Sequence, residues 1–204
     1  MTNPNLDLPL VAILRGLVPF EALDVGAALF DAGFRMLEVP LNRPGAIECI
    51  GLLARHAPAG ALVGGGTMLT VDHVREVHAA GGRLMVSPNC EPEVIRLAAG
   101  MGMFCAPGVA TPTEAFNALA AGAQALKIFP AEMVGPAGLK AMKAILPDGI
   151  PLWPVGGIKP ETMAEWRKAG ATGFGIGGAL FTPGMTAGEV GTRARAYVDA
   201  WRAA

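Results

Sequence analysis

Ala125-Leu126-Lys127-Ile128-Phe129-Pro130 is a short apolar run with one lysine at its centre. Its composition suits a strand, and the closing proline, which has no N–H to give a neighbouring strand, marks where pairing stops. Alternate residues of a strand face opposite sides, so Leu126 and Ile128 share one face while Ala125, Lys127 and Phe129 share the other. Upstream, Ala121-Gly122 is suited to end a helix and Thr111-Pro112-Thr113-Glu114 to begin one. Thr111 would be the N-cap, Pro112 the first helical residue, and Glu114 the far side of a capping box. The stretch reads as helix, turn, strand.

That grammar repeats along the chain. Further strand-like runs fall at 10–14, 36–40, 61–65, 83–87, 103–106, 151–155 and 174–177, so that with 125–129 there are eight, their starts 20 to 26 residues apart. Ala32-Gly33, Ala80-Gly81-Gly82, Ala99-Gly100 and Ala169-Gly170 close the helical segments between them. Thr70 and Asp72 suit a first helical turn, and Lys159-Pro160-Glu161 opens a helix that ends near Gly170. Each period is one βα unit. Eight units predict an α/β protein of one domain, residues 1–204, folded as a closed (β/α)8 TIM barrel. A doubly wound open sheet is the rival, but the Gly-rich dinucleotide fingerprint that often follows its first strand is absent. A solenoid would need a strand consensus that the eight runs lack.

Composition narrows the function. Hydrophobic residues make up 52% and charged residues 16%, which argues against disorder and against a coiled coil. The formal net charge is -1 and no run of five or six like charges occurs, so no nucleic-acid surface is expected. No stretch reaches the length of a membrane span, and Met1 to Leu10 lacks the basic region and apolar run of a signal peptide. Three scattered cysteines, Cys49, Cys90 and Cys105, fit reduced thiols in a cytoplasmic protein. The expected partners are small molecules or further copies of the chain.

In a barrel of this kind the chemistry gathers at the C-terminal ends of the strands. Those ends carry Arg15, Glu38 with Asn42, Thr67, Ser87-Pro88-Asn89, Lys127, Gly156-Gly157 and Gly177-Gly178. Burial among apolar neighbours lowers a lysine's pKa, leaving an amine able to attack a carbonyl. The alternative is a lysine that reaches solvent or pairs with one carboxylate. Glu38, between Leu37 and Val39, repeats the pattern of Lys127 and could shuttle protons for an imine, or serve only as a counter-ion. Arg15 offers a fork of donors for a carboxylate or phosphate, or a salt bridge to Glu38. The glycine turns after the seventh and eighth strands are where many barrels hold phosphate through backbone N–H groups. His56, His73 and His78 fall on helical segments or their ends, and no spacing suggests a metal site.

Taken together, these stretches resemble the class I aldolases of the 2-keto-3-deoxy-6-phosphogluconate (KDPG) family. The matching runs are Ile13-Leu14-Arg15-Gly16, Leu37-Glu38-Val39-Pro40-Leu41-Asn42, Gly64-Gly65-Gly66-Thr67, Ser87-Pro88-Asn89, Pro107 through Glu114, Ala125 through Pro130, and Val155-Gly156-Gly157-Ile158. The resemblance implies a homotrimeric barrel and a lyase that needs neither metal nor other cofactor, working through a covalent imine on Lys127. It implies Glu38 as general acid and base, with Thr67 and Pro88 lining the pyruvyl end. Arg15, Asn42, Phe129 and Val155 would meet the rest of the substrate, and Gly156, Gly157, Gly177, Gly178 and Ala179 its phosphate. The products would be pyruvate and D-glyceraldehyde 3-phosphate.

Two departures, Asn42 and Val155, stand where the gluconate enzymes generally carry arginine and threonine, and both look like the galactonate branch, whose substrate has the other configuration at C4. A gluconate-preferring or dual-specific aldolase is the alternative. Ala179 replaces the family's serine, which would shift phosphate binding onto backbone amides. A phosphosugar isomerase and a non-catalytic sugar-phosphate binder are the readings from other classes.

Overall fold

The computed structural model describes residues 8–203. The expectation of no signal peptide rests partly on residues 1–7, which lie outside the described residues. Strands and helices alternate: β1 Leu10–Ile13, α1 Ala22–Ala32, β2 Met36–Pro40, α2 Ala46–His56, β3 Leu62–Gly66, α3 Val71–Ala79, β4 Leu84–Val86 and α4 Pro92–Gly100. Then come β5 Phe104–Ala106, β6 Gly108–Val109, α5 Pro112–Ala120, β7 Leu126–Ile128, α6 Ala131–Lys143, β8 Leu152–Pro154, α7 Met163–Ala169, β9 Phe174–Ile176 and α8 Ala187–Ala203. No helix among the described residues is long and apolar enough to cross a membrane.

All strand pairings are parallel. Six strands form one sheet in the order β5-β4-β3-β2-β1-β9, and three form a second in the order β6-β7-β8. Among the described residues nine strands stand where eight were expected, because beyond the fifth run and Pro107 the chain pairs again as the two-residue strand β6. The Pro107 carbonyl accepts a 3.0 Å bond from the Lys127 N–H. A parallel bridge between Val155 and Gly175 links the last strand of each sheet.

The helix ends are made as the sequence predicts. Gly33 closes α1 and Gly170 closes α7, with φ of 112° and 114°. Thr111 and Glu114 form the complete capping box at α5, and the Thr70 hydroxyl accepts from His73 N–H at α3. The segment opened by Lys159 begins as a short 3-10 turn, Pro160–Thr162, before α7 takes over.

Strand alternation sorts side chains into two apolar clusters. Leu37, Val39, Leu126, Ile128, Leu152 and Ile176 pack outward against the helices. Val11, Met36, Leu84, Val86, Phe104, Ala106, Ala125 and Trp153 form a second cluster on the opposite face of the strands. Lys127 and Glu38 fall at the same parity as this inner set.

Candidate active site

Lys127 leaves β7 between outward-packed Leu126 and Ile128, one step along the inner face from Ala125. It is 7% exposed, and its Nζ lies 4.7 Å from the centroid of the Phe129 ring. The side chain does not reach out to solvent. Glu38 leaves β2 in the same way and is 1% exposed. Both line a small cavity of about 10 Å³ with Val11, Ile13, Val86, Ala106, Trp153, Val155 and Gly175. That is room for about one water molecule.

Burial dominates the electrostatics. It raises the Glu38 pKa from 4.5 to about 7, against the opposing pull of the Lys127 and Arg15 charges. It lowers that of Lys127, with the Arg15 charge acting in the same direction and Glu38 opposing. The pair therefore holds an amine more easily freed of its proton and a carboxyl poised to gain or lose one at neutral pH. Oε2 of Glu38 is buried without a hydrogen-bond partner, as is Nε1 of Trp153. Gly66, on the neighbouring strand, leaves the space in which the Glu38 carboxylate sits.

A larger cavity of about 510 Å³ adjoins this one, sharing Ile13, Val155 and Gly175. Its lining includes Arg15, Gly156, Gly157, Gly177, Gly178 and Ala179 from the sequence prediction, and adds Lys159 and Thr182. Gly156 and Gly157 have φ of 119° and 61°, so both sit in backbone that favours glycine. Helix α8 fixes both turns from behind: the Tyr197 hydroxyl donates to the Ile158 carbonyl at 2.8 Å, and Arg193 to the Ala179 carbonyl at 3.3 Å.

Four predicted residues line neither cavity. Asn42 accepts a 3.0 Å bond from Arg15 through Oδ1, so the arginine fork is held by an amide and makes no ion pair with Glu38. Phe129 lies against the Lys127 ammonium. Thr67 follows Gly66 with a φ of 54°, the one positive φ outside glycine among the described residues. The Pro88 backbone approaches Gly108, which pairs with Lys127. Trp153, stacked on Phe104 at 5.7 Å, was not singled out as a site residue although it lies two places before Val155 on the same face. Parity could have found it. In the sequence Lys159 reads only as a helix opener.

Outside this region, no group of three or more His, Cys, Asp or Glu among the described residues is arranged to hold a metal ion. Cys49 and Cys105 are buried, their thiols pushed up by burial to about 11 and about 12.

A parallel βα fold with a buried lysine and carboxylate beside two glycine turns agrees with the family match. The chain belongs to the KDPG and KHG aldolase family, whose model matches residues 6–195. Within it, the chain is 49% identical, over 98% of its length and 94% of the relative's, to the "Probable 2-dehydro-3-deoxy-6-phosphogalactonate aldolase" of Rhizobium meliloti (strain 1021). It is 47% identical, over 97% of its length and 96% of the relative's, to the 2-dehydro-3-deoxy-6-phosphogalactonate aldolase of Escherichia coli (strain K12). Among solved structures, "Native KDPGal structure" superposes with a TM-score of 0.94 at 46% identity, covering 97% of this chain and 96% of that one. The KDPG aldolase of Legionella pneumophila, with pyruvate captured at low pH as a covalent carbinolamine intermediate, superposes with a TM-score of 0.81 at 28% identity, covering 99% and 98%.

Proposed function

We propose that this chain is a class I aldolase that reversibly cleaves 2-dehydro-3-deoxy-6-phosphogalactonate (KDPGal) to pyruvate and D-glyceraldehyde 3-phosphate, in galactonate breakdown. The observation that carries this reading is the joint burial of Lys127 and Glu38 in one small cavity that opens beside the two glycine turns. Two relatives close to half identical bear the galactonate substrate in their names, and the Legionella pneumophila aldolase holds pyruvate as a carbinolamine, the adduct of an amine with a ketone.

The neutral Lys127 amine adds to the C2 carbonyl of the keto acid, and Glu38 gives a proton to the hydroxyl as water departs from the carbinolamine. The resulting iminium withdraws electrons from C3–C4. Glu38, directly or through water, takes the C4 hydroxyl proton, the bond breaks, and its electron pair moves to an enamine while the aldehyde leaves. Protonation at C3 and addition of water at C2 release pyruvate and restore the amine. Because the iminium is the electron sink, the step needs no metal and no other cofactor. Phe129, Thr67 and Pro88 border the pyruvyl end, Arg15 oriented by Asn42 takes the carboxylate, and Val155 forms an apolar wall towards C4. Gly156, Gly157, Gly177, Gly178 and Ala179 surround the phosphate.

The same reading takes the two sheets as arcs of one closed (β/α)8 barrel over a single domain. Support comes from the Val155–Gly175 bridge at one junction and, at the other, from Pro107, which joins β5 to β6 while its carbonyl bonds Lys127. It also takes the working form as a cytoplasmic homotrimer, for which exposed Phe20, Met133 and Ile145 offer apolar surface.

The test is incubation with pyruvate and sodium borohydride, followed by peptide mass spectrometry. A reduced pyruvyl group on Lys127 is expected, and its loss in Lys127→Ala with the fold retained. A wild-type protein that turns over KDPGal with no adduct at Lys127 would exclude the imine mechanism.

A further inference from the structure

We propose that Lys159 is a recognition residue for the phosphate of the substrate, acting as a second cation besides Arg15 on the lining of the larger cavity. This rests on the aldolase reading above for the identity of the substrate, and on the cavity itself for the identity of the bound group. Of the side chains lining that cavity of about 510 Å³, only those of Arg15 and Lys159 are charged, and both are positive. Neither has a carboxylate partner, since the one ion pair among the described residues is Arg75 with Asp72. The cavity is thus built for an anion. Its Arg15 is tied to Asn42, at the end that adjoins Glu38 and Lys127.

The root of Lys159 is fixed where a flexible surface lysine's would not be. The preceding carbonyl, of Ile158, accepts from the buried Tyr197 hydroxyl at 2.8 Å. The Lys159 N–H donates to the Thr162 hydroxyl oxygen at 3.2 Å, and that hydroxyl donates to the Lys159 carbonyl at 3.0 Å. Only the side chain is left free to move, and it borders the cavity directly after the Gly156-Gly157 turn. Two further observations favour a cation there. Ala179 brings no hydroxyl to the opposite turn. The carboxylate of Glu132 lies against Gly156 and Gly157, so the turn that should attract a phosphate has a negative charge beside it. A phosphate dianion held by backbone amides alone would meet that repulsion uncompensated, whereas an ammonium in line with the turn offsets it. The ligand class this selects is a phosphomonoester at the end of the chain remote from the keto acid.

The experiment compares wild type with Lys159→Gln, Lys159→Ala and Lys159→Arg. A charge-assisted contact at a partly solvated site predicts that KM for KDPGal rises about tenfold in the Gln and Ala variants, with kcat within about twofold. The Arg variant should recover most of the affinity. Turnover of the unphosphorylated 2-keto-3-deoxy-galactonate should be unchanged, because the contact is made only with phosphate. Raising ionic strength should weaken wild-type affinity more than that of Lys159→Gln. Independently of turnover, inorganic phosphate measured by calorimetry should bind about tenfold more weakly to Lys159→Gln, as for a hydrogen bond to a charged group. Unchanged phosphate affinity in that variant, or an equal loss on the unphosphorylated substrate, would overturn the assignment. Pyruvate and borohydride labelling of Lys127 should proceed in every variant. Its failure in wild type would remove the aldolase reading while the phosphate titration still decided the role of Lys159.

Discussion

Gly66 and Glu38 occupy one volume between them: a Cβ on Gly66 would fall on the Glu38 carboxylate, against Oε2 and within 2.8 Å of Oε1. The two residues sit on paired strands, two registers from face to face, with Pro40 opposite Gly66 and Gly64 opposite Glu38. The glycine is therefore a requirement of the carboxylate's position more than of local backbone, since its φ is not in the left-handed region.

Gly66→Ala should separate folding from chemistry. The group in the way is the far end of a flexible side chain, so the clash can be relieved by rotating Glu38 instead of moving a strand. The fold survives, but the carboxylate leaves the cavity it shares with Lys127. Loss of a positioned acid and base costs roughly 10²- to 10⁴-fold in rate. A kcat within threefold of wild type, with unchanged circular dichroism, would mean that the position of Glu38 does not matter to the reaction.

The pH dependence follows from the same carboxyl. Its pKa is raised by burial from 4.5 to about 7, so the folded protein holds a proton there that the unfolded chain has lost. Stability from this group is full below pH 4.5 and is lost as pH rises through about 7. The span corresponds to at most about 3 kcal/mol. Glu38→Gln, which cannot ionise, should therefore gain stability relative to wild type between pH 4.5 and pH 8, read as a difference of urea midpoints at the two ends. In the proposed mechanism carbon–carbon cleavage needs the ionised form, so the single-turnover cleavage rate of wild type should rise through about pH 7, and the variant should be slow with that limb removed. A variant with the wild-type profile would leave Glu38 as a counter-ion alone.

Much of this arrangement is visible in the sequence, and the reason is periodicity. The lysine at 127 stands among apolar residues whose alternation fixes its facing, and Leu126 and Ile128 do pack against helices while Ala125 packs on the inner face. The capping box at Thr111 and the glycine at Gly33 are local signals read at a distance of three or four residues. What depends on contacts between remote segments was not visible. The strand β6, Gly108–Val109, is too short to show as an apolar run and exists only because β7 lies ready to pair with it. Arg15 bonds Asn42 in place of Glu38, a choice made by how two loops approach each other. Lys159 looks like helix punctuation until α8, bonded to the Ile158 carbonyl, holds it on the lining of the cavity.

Val155 offers the test of epimer choice. It is 8% exposed, bridges to Gly175, and lines both cavities, so it stands where the lysine's chamber meets the larger cavity. A methyl there gives a substrate hydroxyl no partner, whereas a threonine of nearly the same shape adds one donor and acceptor. Sites that bond a hydroxyl discriminate strongly against an epimer that leaves the site's own group unpaired, while apolar walls discriminate weakly. Val155→Thr should therefore shift the ratio of kcat/KM towards the gluconate epimer by about tenfold, at a stability cost of about 1 kcal/mol for the buried hydroxyl. The measurement is turnover of both C4 epimers by wild type and variant under one set of conditions. Because Val155 leaves Lys127 and Glu38 in place, borohydride labelling with pyruvate should be equal in the two proteins, and a change of ratio then reports on recognition of C4 alone. An unaltered ratio would move the discrimination to another wall of the cavity, with Asn42 and the arginine it holds as the next residues to change.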